Sequence, residues 1–141
     1  MTSENFRIVV DSYAWIEYFL GTRGGAYVEK AILEAQEAYT PTIVLAEIAA
    51  KYGREGAPKQ AIKERLRLIS ETTVITPITI DTATEIPKAK TDLQKNAQKL
   101  GLKQKPSLAD AIILATARKL EARVLTRDQH FKNLKETLWI P

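Results

Sequence analysis

The feature of this sequence that most constrains its fold is an alternation of short β-branched runs with longer amphipathic segments. The period of the apolar residues predicts strands at residues 7–10, 38–40, 74–76, 123–126 and 138–140. It predicts helices at residues 14–20, 26–35, 41–52, 59–72, 79–100 and 107–120. Strands that alternate with helices favour an α/β fold, here a three-layer α/β/α sandwich around a mostly parallel central sheet.

Glycine and proline punctuate this pattern. A group of glycines at positions 21, 24 and 25 is expected to end the first helix before the second begins. Pro41 suits the first position of the third helix, with Thr40 as its cap. Pro87 lies inside the long segment 79–100, where proline removes a backbone donor, so a break is expected there.

Length and composition indicate one ordinary globular domain. The chain has 141 residues, of which 45% are hydrophobic and 27% charged, so a single domain spanning 1–141 is expected. No apolar run reaches the roughly 18 residues of a membrane helix, and the first residues lack the pattern of a signal peptide. We therefore expect a cytoplasmic protein without a membrane segment.

The residues that are missing exclude several kinds of chemistry. The chain has no cysteine and one histidine, His130, which excludes thiol nucleophiles, zinc ribbons and multi-histidine metal sites. Neither GxGxxG nor GxxxxGK[ST] occurs, so the usual phosphate-binding loops are absent. Carboxylates, hydroxyls, lysines and a hard metal ion are left as the means of catalysis.

Positive charge is concentrated in the middle of the chain. Residues 51–105 hold twelve Lys and Arg against six Asp and Glu, whereas residues 1–50 hold three against seven. A basic stretch of this kind can bind phosphates, although any one of its lysines can equally lie on a solvated helix face.

Four carboxylates occupy positions where an α/β protein binds its ligands, beyond the carboxyl ends of the strands. Asp11 and Asp128 follow two predicted strands, while Glu47 and Asp110 are single charges in otherwise apolar helices. Each also has a local explanation. Asp11 can cap a helix, Glu47 can face a solvent gap, Asp110 can form a capping box with Ser107, and Asp128 can form an Asx turn.

Taken together, the four carboxylates indicate a hard-metal site. Two unit charges about 4 Å apart repel by about 4 kcal/mol at an effective dielectric constant near 20. A fold tolerates such a cluster if a cation neutralises it or if some groups stay protonated. All-oxygen ligands favour Mg²⁺ or Mn²⁺, and hydrated Mg²⁺ can activate water for phosphodiester hydrolysis.

Four motifs carry a resemblance to a known family. They are Val9–Phe19 (VVDSYAWIEYF), Leu45–Glu47 (LAE), Ser107–Ala117 (SLADAIILATA) and Leu125–Phe131 (LTRDQHF). In this order and over nearly the whole chain, they resemble the PIN domain, and within it the VapC-type toxin nucleases of bacteria and archaea.

The resemblance implies a PIN-like parallel-sheet fold and metal-dependent endonuclease activity on RNA. It implies homodimers and an antitoxin whose tail enters the active-site groove. The motif positions imply one set of catalytic and metal-binding acids, namely Asp11, Glu47, Asp110 and Asp128. They imply supporting hydroxyls at Ser12 and Thr126.

The sequence also departs from the family pattern at two positions. Tyr13 stands where the family often has Ser or Asn, and His130 stands where a second acid is common. These changes could alter the number of metal ions or the placement of substrate. His130 itself is expected at the surface or in packing. The other aromatic residues near the first motif are expected in the core or a dimer surface, namely Trp15, Tyr18 and Phe19.

The favoured function is a Mg²⁺-dependent endoribonuclease that acts as the toxin of a type II toxin–antitoxin pair. A housekeeping RNA-processing nuclease and a non-catalytic nucleic-acid or protein-binding module on the same fold remain as alternatives. A phosphoacceptor receiver domain fits poorly, because Asp11 has no acidic neighbour and the strand 74–76 is not followed by Asp. A haloacid-type phosphatase also fits poorly, since no second Asp follows two residues after Asp11.

Overall fold

Five strands and six helices alternate along residues 6–141, the part of the chain described by a computed structural model. The strands are β1 (Arg7–Val10), β2 (Glu37–Pro41), β3 (Val74–Thr76), β4 (Arg123–Thr126) and β5 (Thr137–Trp139). The helices are α1 (Ser12–Leu20), α2 (Arg23–Glu34), α3 (Thr42–Arg54), α4 (Lys59–Thr72), α5 (Ile80–Leu100) and α6 (Leu108–Lys119). A short 3₁₀ turn covers Gln129–Phe131.

All five strands are parallel, in the order β3-β2-β1-β4-β5. Successive residues of a strand point to opposite faces of the sheet, yet Ile8, Val9 and Val10 are all fully buried. Both faces of the sheet are therefore covered, which confirms the predicted three-layer α/β/α architecture. The chain runs from β1 outward to β3 and then returns to β4 on the other side of β1. This reversal places a crevice at the carboxyl ends of β1 and β4.

An aromatic cluster anchors the first helix to the sheet. Trp15 is 1% exposed and donates its indole N–H to Thr40 Oγ1 at 3.1 Å. Tyr18 and Phe19 are partly buried, with ring centroids 5.5 and 5.9 Å from that of Trp15. The predicted core position is confirmed for Trp15.

Two of the three glycines near the end of α1 lie inside the next helix, so the prediction that they end α1 was wrong. Gly21 does end α1 in the left-handed region, with φ 70°. Gly24 and Gly25 instead belong to the first turn of α2. A Cβ on Gly25 would lie 2.3 Å from the Glu17 carbonyl oxygen, so the glycine permits close packing of α2 against α1.

Both proline predictions also need correction. Pro41 is the last residue of β2, and α3 begins at Thr42. The Thr40 hydroxyl cannot cap this helix because it is bonded to Trp15 and to Thr73. Helix α5 continues through Pro87, since the carbonyl that loses its donor belongs to Ala83 on an exposed part of the helix.

The remaining helices and strands lie within a few residues of their predicted bounds, and those of α4, β1, β3 and β4 agree fully. Strand β5 is one residue earlier than predicted. Within residues 6–141, no helix combines enough length with enough apolar sequence to traverse a lipid bilayer.

Candidate metal centre

Asp11 lies at the carboxyl end of β1 and caps α1, as its cap interpretation predicted. Its Oδ1 accepts a hydrogen bond from the Ala14 amide at 2.9 Å, and the residue is 3% exposed. Burial raises the pKa of Asp11 to about 7. Hydrogen bonds from the Thr126 hydroxyl and the Ala14 amide oppose this shift, while the charges of Asp128 and Glu47 add to it.

Asp128 lies just beyond β4, the neighbour of β1 in the sheet. Its Oδ1 accepts a hydrogen bond from the His130 amide at 2.9 Å, which is the predicted Asx turn. Its own amide donates to Thr126 Oγ1 at 2.9 Å. Because Thr126 is fully buried and also bonds Asp11, its hydroxyl links the two acids that follow the central strands.

Glu47 lies in the middle of α3, and its carboxylate interacts with that of Asp128. Burial raises its pKa, the Ser12 hydroxyl opposes the shift, and the charges of Asp110 and Asp128 reinforce it. Its Oε1 is buried and has no hydrogen-bond partner among residues 6–141. A buried carboxylate oxygen without a donor is costly, so this atom is suited to a ligand.

Asp110 lies in the first turn of α6, whose next seven residues are all buried. Its Oδ2 accepts from the Ser107 amide at 2.9 Å, and its amide donates to Ser107 Oγ at 3.1 Å. The predicted capping box is therefore present. Burial raises the pKa of Asp110, and the negative charge of Asp128 raises it further. The hydrogen bonds with Ser107 and the charge of His130 lower the pKa in part.

The four acids form one acidic cluster, defined by Asp11, Glu47, Asp110 and Asp128. The charge of Asp128 raises the pKa of each of the other three, so the four acids interact electrostatically. Among residues 6–141, the only group of three or more acids or histidines whose potential ligand atoms all lie within 4.8 Å of one another is Asp110, Asp128 and His130. Burial is the largest cause of all three raised pKa values, and the buried Glu47 Oε1 has no donor, so a cation would stabilise the charged form of these carboxylates. The donor set, made of carboxylate oxygens, fits a hard divalent cation.

His130 adjoins this cluster, which the sequence analysis missed. Its Nδ1 lies 3.0 Å from Asp128 Oδ1 and 3.9 Å from Asp110 Oδ2, and its Nε2 lies 2.9 Å from the Gln104 carbonyl oxygen. Burial lowers the His130 pKa, but the hydrogen bonds to Gln104 and Asp128 and the nearby negative charges raise it overall.

Both ring nitrogens of His130 face hydrogen-bond acceptors, although Asp110, Asp128 and His130 could be grouped as metal ligands by distance. Because the Gln104 carbonyl can only accept a hydrogen bond, Nε2 carries a proton, and Nδ1 faces the carboxylates of Asp128 and Asp110. His130 Nδ1 therefore orients Asp128 and also lies within the same group of potential metal ligands as Asp110 and Asp128.

A basic groove of about 1130 Å³ opens beside the acidic cluster. One of its walls contains Asp128 and His130 themselves. The other lining residues are Tyr13, Leu102, Lys103, Gln104, Arg127, Gln129, Lys132 and Trp139. Three of its side chains are cationic and two are aromatic.

With this geometry established, comparison with known proteins identifies the family. The model of the PIN domain matches residues 8–136, which is most of the chain. The chain belongs to the PIN domain family. The match spans all four positions of the acidic cluster. No curated protein sequence matches the chain.

Solved structures confirm that this PIN domain has a familiar fold. A toxin–antitoxin complex from Klebsiella pneumoniae aligns with a TM-score of 0.72 at 23% identity, covering 95% of this chain and 98% of that one. VapBC2 from Rickettsia felis, bound to a DNA fragment from its promoter, aligns with a TM-score of 0.69 at 14% identity, covering 95% and 97%.

A third similar structure is VapC20 of Mycobacterium tuberculosis, described as a sarcin–ricin loop cleaving toxin. It aligns with a TM-score of 0.58 at 17% identity and covers 92% of this chain and 98% of that one. At these identities the likeness concerns the fold of the PIN domain.

Proposed function

We propose that this chain, as one PIN domain over residues 1–141, is a Mg²⁺-dependent endoribonuclease that hydrolyses RNA phosphodiester bonds. The observation that carries the proposal is the convergence of four carboxylates in the crevice between β1 and β4, where parallel sheets bind ligands. Membership of the PIN family and the similarity to VapC20 support it.

The acidic cluster would hold the metal through Asp11, Glu47, Asp110 and Asp128, with Mn²⁺ as an alternative to Mg²⁺. The unpartnered Glu47 Oε1 and the raised pKa of Asp11 support this fit. When bound, Mg²⁺ lowers the pKa of a water molecule and neutralises charge on the phosphate.

The chain's own groups prepare the site for this chemistry. The Thr126 hydroxyl fixes Asp11 and Asp128 relative to each other, and the Ser12 hydroxyl supports the charged form of Glu47. His130 holds Asp128 through Nδ1. Such supporting hydrogen bonds fix the orientation of carboxylates before a ligand arrives.

We further propose that the nuclease is the toxin of a type II toxin–antitoxin pair, inhibited by a cognate antitoxin protein and active as a homodimer. The similarity to a toxin–antitoxin complex from Klebsiella pneumoniae and to VapBC2 from Rickettsia felis supports this role. Co-expression with the product of an adjacent small gene, followed by a cleavage assay, tests the inhibition.

The nuclease proposal is tested with isosteric variants that remove charge from the cluster. We expect Asp11→Asn and Asp110→Asn to lower the rate of RNA cleavage in Mg²⁺ by about 10²- to 10⁴-fold, because each removes a ligand worth several kcal/mol to the transition state. Asparagine can still accept the capping hydrogen bonds from Ala14 and Ser107, so the fold should survive.

Asp81→Asn is the matched control, since Asp81 is exposed on α5 and loses the same charge. Circular dichroism and calorimetric Mg²⁺ titration should accompany the assays. Wild-type cleavage rates in both cluster variants would contradict the assignment of the acids. A folded wild-type protein that neither binds Mg²⁺ nor cleaves RNA would favour the non-catalytic binding module.

A further inference from the structure

We propose that the basic groove binds the single-stranded RNA segment next to the scissile phosphate, with Tyr13 and Trp139 stacking on bases and cationic side chains contacting phosphates. The inference rests on the proposed nuclease function and specifies where its substrate lies. The groove is continuous with the acidic cluster, because Asp128 and His130 form part of both. A strand lying in it would therefore lead directly to the carboxylates.

The basic groove has three cationic side chains that are available to bind phosphates. Lys103, Arg127 and Lys132 are exposed, and none of them has a carboxylate within 4.0 Å among residues 6–141. Some cations elsewhere are paired, such as Lys51 with Glu55 and Arg118 with Asp92 and Glu136. The groove differs from the rest of the described surface in bringing three cations without an ion pair together beside the acidic cluster. Unpaired cations along one groove favour a polyanion that releases counter-ions on binding.

Two aromatic side chains in the groove are available for stacking. Tyr13 is 39% exposed and lies two residues after Asp11, and Trp139 is partly exposed at the end of β5. Lys132 Nζ lies 5.9 Å from the centre of the Trp139 ring, so a positive charge and an aromatic face meet at one point. Stacking on aromatic rings requires bases that are not already paired and stacked, which favours a single strand over a duplex.

The wall that carries Lys103 is held in place. His130 Nε2 donates to the Gln104 carbonyl at 2.9 Å, which ties the connection between α5 and α6 to the acidic cluster. Asn96 Nδ2 donates to the His130 and Lys132 carbonyls at 3.1 and 3.0 Å, which fixes the opposite wall. The groove is therefore preformed, and binding a strand there needs little ordering of the backbone.

The volume of the basic groove also suits an RNA strand better than a small ligand. Sites for drug-sized molecules occupy roughly 300–1,000 Å³, and the groove of about 1130 Å³ is larger. It is also open to solvent along its length. An acidic peptide could match the charge, but it would leave the aromatic faces without bases to stack on.

The test measures binding without cleavage. A fluorescein-labelled 2′-O-methyl RNA decamer is titrated with protein in EDTA, and binding is followed by anisotropy. We expect Lys103→Ala, Arg127→Ala and Lys132→Ala each to weaken binding and to reduce the slope of log K against log salt by about 0.7. Lys63→Ala, an exposed lysine of α4 on the other side of the sheet, is the matched control and should change neither value.

A second measurement reports on stacking. The chain has two tryptophans, and Trp15 is 1% exposed, so fluorescence quenching by an unlabelled decamer reports on Trp139. We expect quenching in the wild type and its loss in Trp139→Phe. Trp139→Ala should weaken binding about 5- to 100-fold, with Trp139→Phe restoring part of it.

The outcomes separate this inference from the nuclease proposal. Mg²⁺-dependent cleavage together with unchanged binding and salt slope in the three cation variants would overturn the groove assignment alone. Tighter binding of a glutamate-rich decapeptide than of the RNA decamer at equal salt would also overturn it, in favour of a protein occupant. Decamer binding that depends on the groove residues supports the assignment, even where a failure to cleave contradicts the nuclease.

Discussion

At the scale of single residues, the raised pKa of the buried Asp11 makes the stability of the protein depend on pH. This pKa is raised from 3.8 to about 7, so the native chain binds this proton more tightly than the unfolded chain does. The corresponding stability is fully present below pH 3.8 and is lost as the pH rises to about 7. A shift of about three units corresponds to about 4 kcal/mol.

Asp11→Asn should therefore stabilise the metal-free protein at alkaline pH. The substitution removes the buried charge and keeps an oxygen that can accept from the Ala14 amide. In EDTA at pH 8, we expect its thermal midpoint to exceed that of the wild type by several degrees, and at pH 4 we expect the two to converge. Scanning calorimetry at both values measures this.

The control for this comparison is Asp81→Asn, which changes the same charge on an exposed helix position. Its midpoint should follow that of the wild type at both pH values. An Asp11→Asn protein that is less stable than the wild type at pH 8 would show that the carboxylate is not strained in the metal-free fold.

The sequence was enough to locate the four acids at the ends of strands and in apolar helices, but it did not predict that His130 lies beside them. Asp11 and Asp128 could be located because they end two strands, and Glu47 and Asp110 because each is a lone charge in an apolar helix. Their catalytic roles stay predictions. His130 contacts Asp128 only two residues away, but the sequence does not show that its ring points toward the cluster, because that orientation also depends on the bond from Nε2 to the Gln104 carbonyl, 26 residues away.

At the scale of helices and strands, the close approach of α1 and α2 depends on one missing side chain. A Cβ on Gly25 would lie 2.3 Å from the Glu17 carbonyl oxygen and 3.0 Å from the Tyr18 Cα, both backbone atoms. Gly25→Ala should therefore force the two helices apart. We expect a loss of about 1–3 kcal/mol in the free energy of unfolding, measured by urea titration.

At Gly53, in contrast to Gly25, the structure leaves room for a side chain. Gly53 lies in α3, and a Cβ there would meet nothing within 4 Å. Gly53→Ala should stabilise the protein by up to about 1 kcal/mol, because alanine has the higher helix propensity. Equal effects of the two substitutions would mean that helix propensity, and not the α1–α2 contact, sets the role of Gly25.

The same contact explains why the bounds of α2 could not be predicted. Glycine disfavours helices intrinsically, so the sequence signal at Gly24 and Gly25 indicated a break. Tertiary packing reversed that preference at Gly25. At Pro87 in α5 the reason differs, because the carbonyl that loses its donor lies at an exposed position where water can bond it. The long amphipathic segment that forms α4 had no such conflict, and its bounds were predicted correctly.

At the scale of the whole molecule, the sequence established layers and sheet type but not strand order. Alternating segments are enough to predict a parallel sheet, whereas the order β3-β2-β1-β4-β5 depends on long-range crossovers. The distribution of charge along the sequence likewise does not predict which cations lie together in the folded protein. Of the twelve cationic residues in the basic stretch 51–105, Lys103 alone lines the basic groove, and the other two cations of the groove, Arg127 and Lys132, come from beyond that stretch.

Stability of the whole molecule should respond to Mg²⁺ in a pH-dependent way. A ligand that binds only the native state raises its stability by mass action. Protons compete for the acidic cluster, because the pKa values of Asp11, Glu47 and Asp110 are all raised. We expect 10 mM Mg²⁺ to raise the thermal midpoint at pH 8 and to raise it much less at pH 5.5.

Sodium chloride at equal ionic strength controls for charge screening. The Asp110→Asn variant should lose most of the response at pH 8. A shift of the same size at both pH values would place the bound ion away from the acidic cluster.

The crevice at the carboxyl ends of β1 and β4 is formed by strands and by loop connections, and these two kinds of segment differ in how much sequence change they tolerate. The floor belongs to strands buried on both faces, where few substitutions are tolerated. The walls of the groove come mainly from the short connections after α5 and β4, which can change without refolding the sheet. If the proposed nuclease function holds, exchanging those connections between members of the family should change target choice and leave the acidic cluster of the recipient intact.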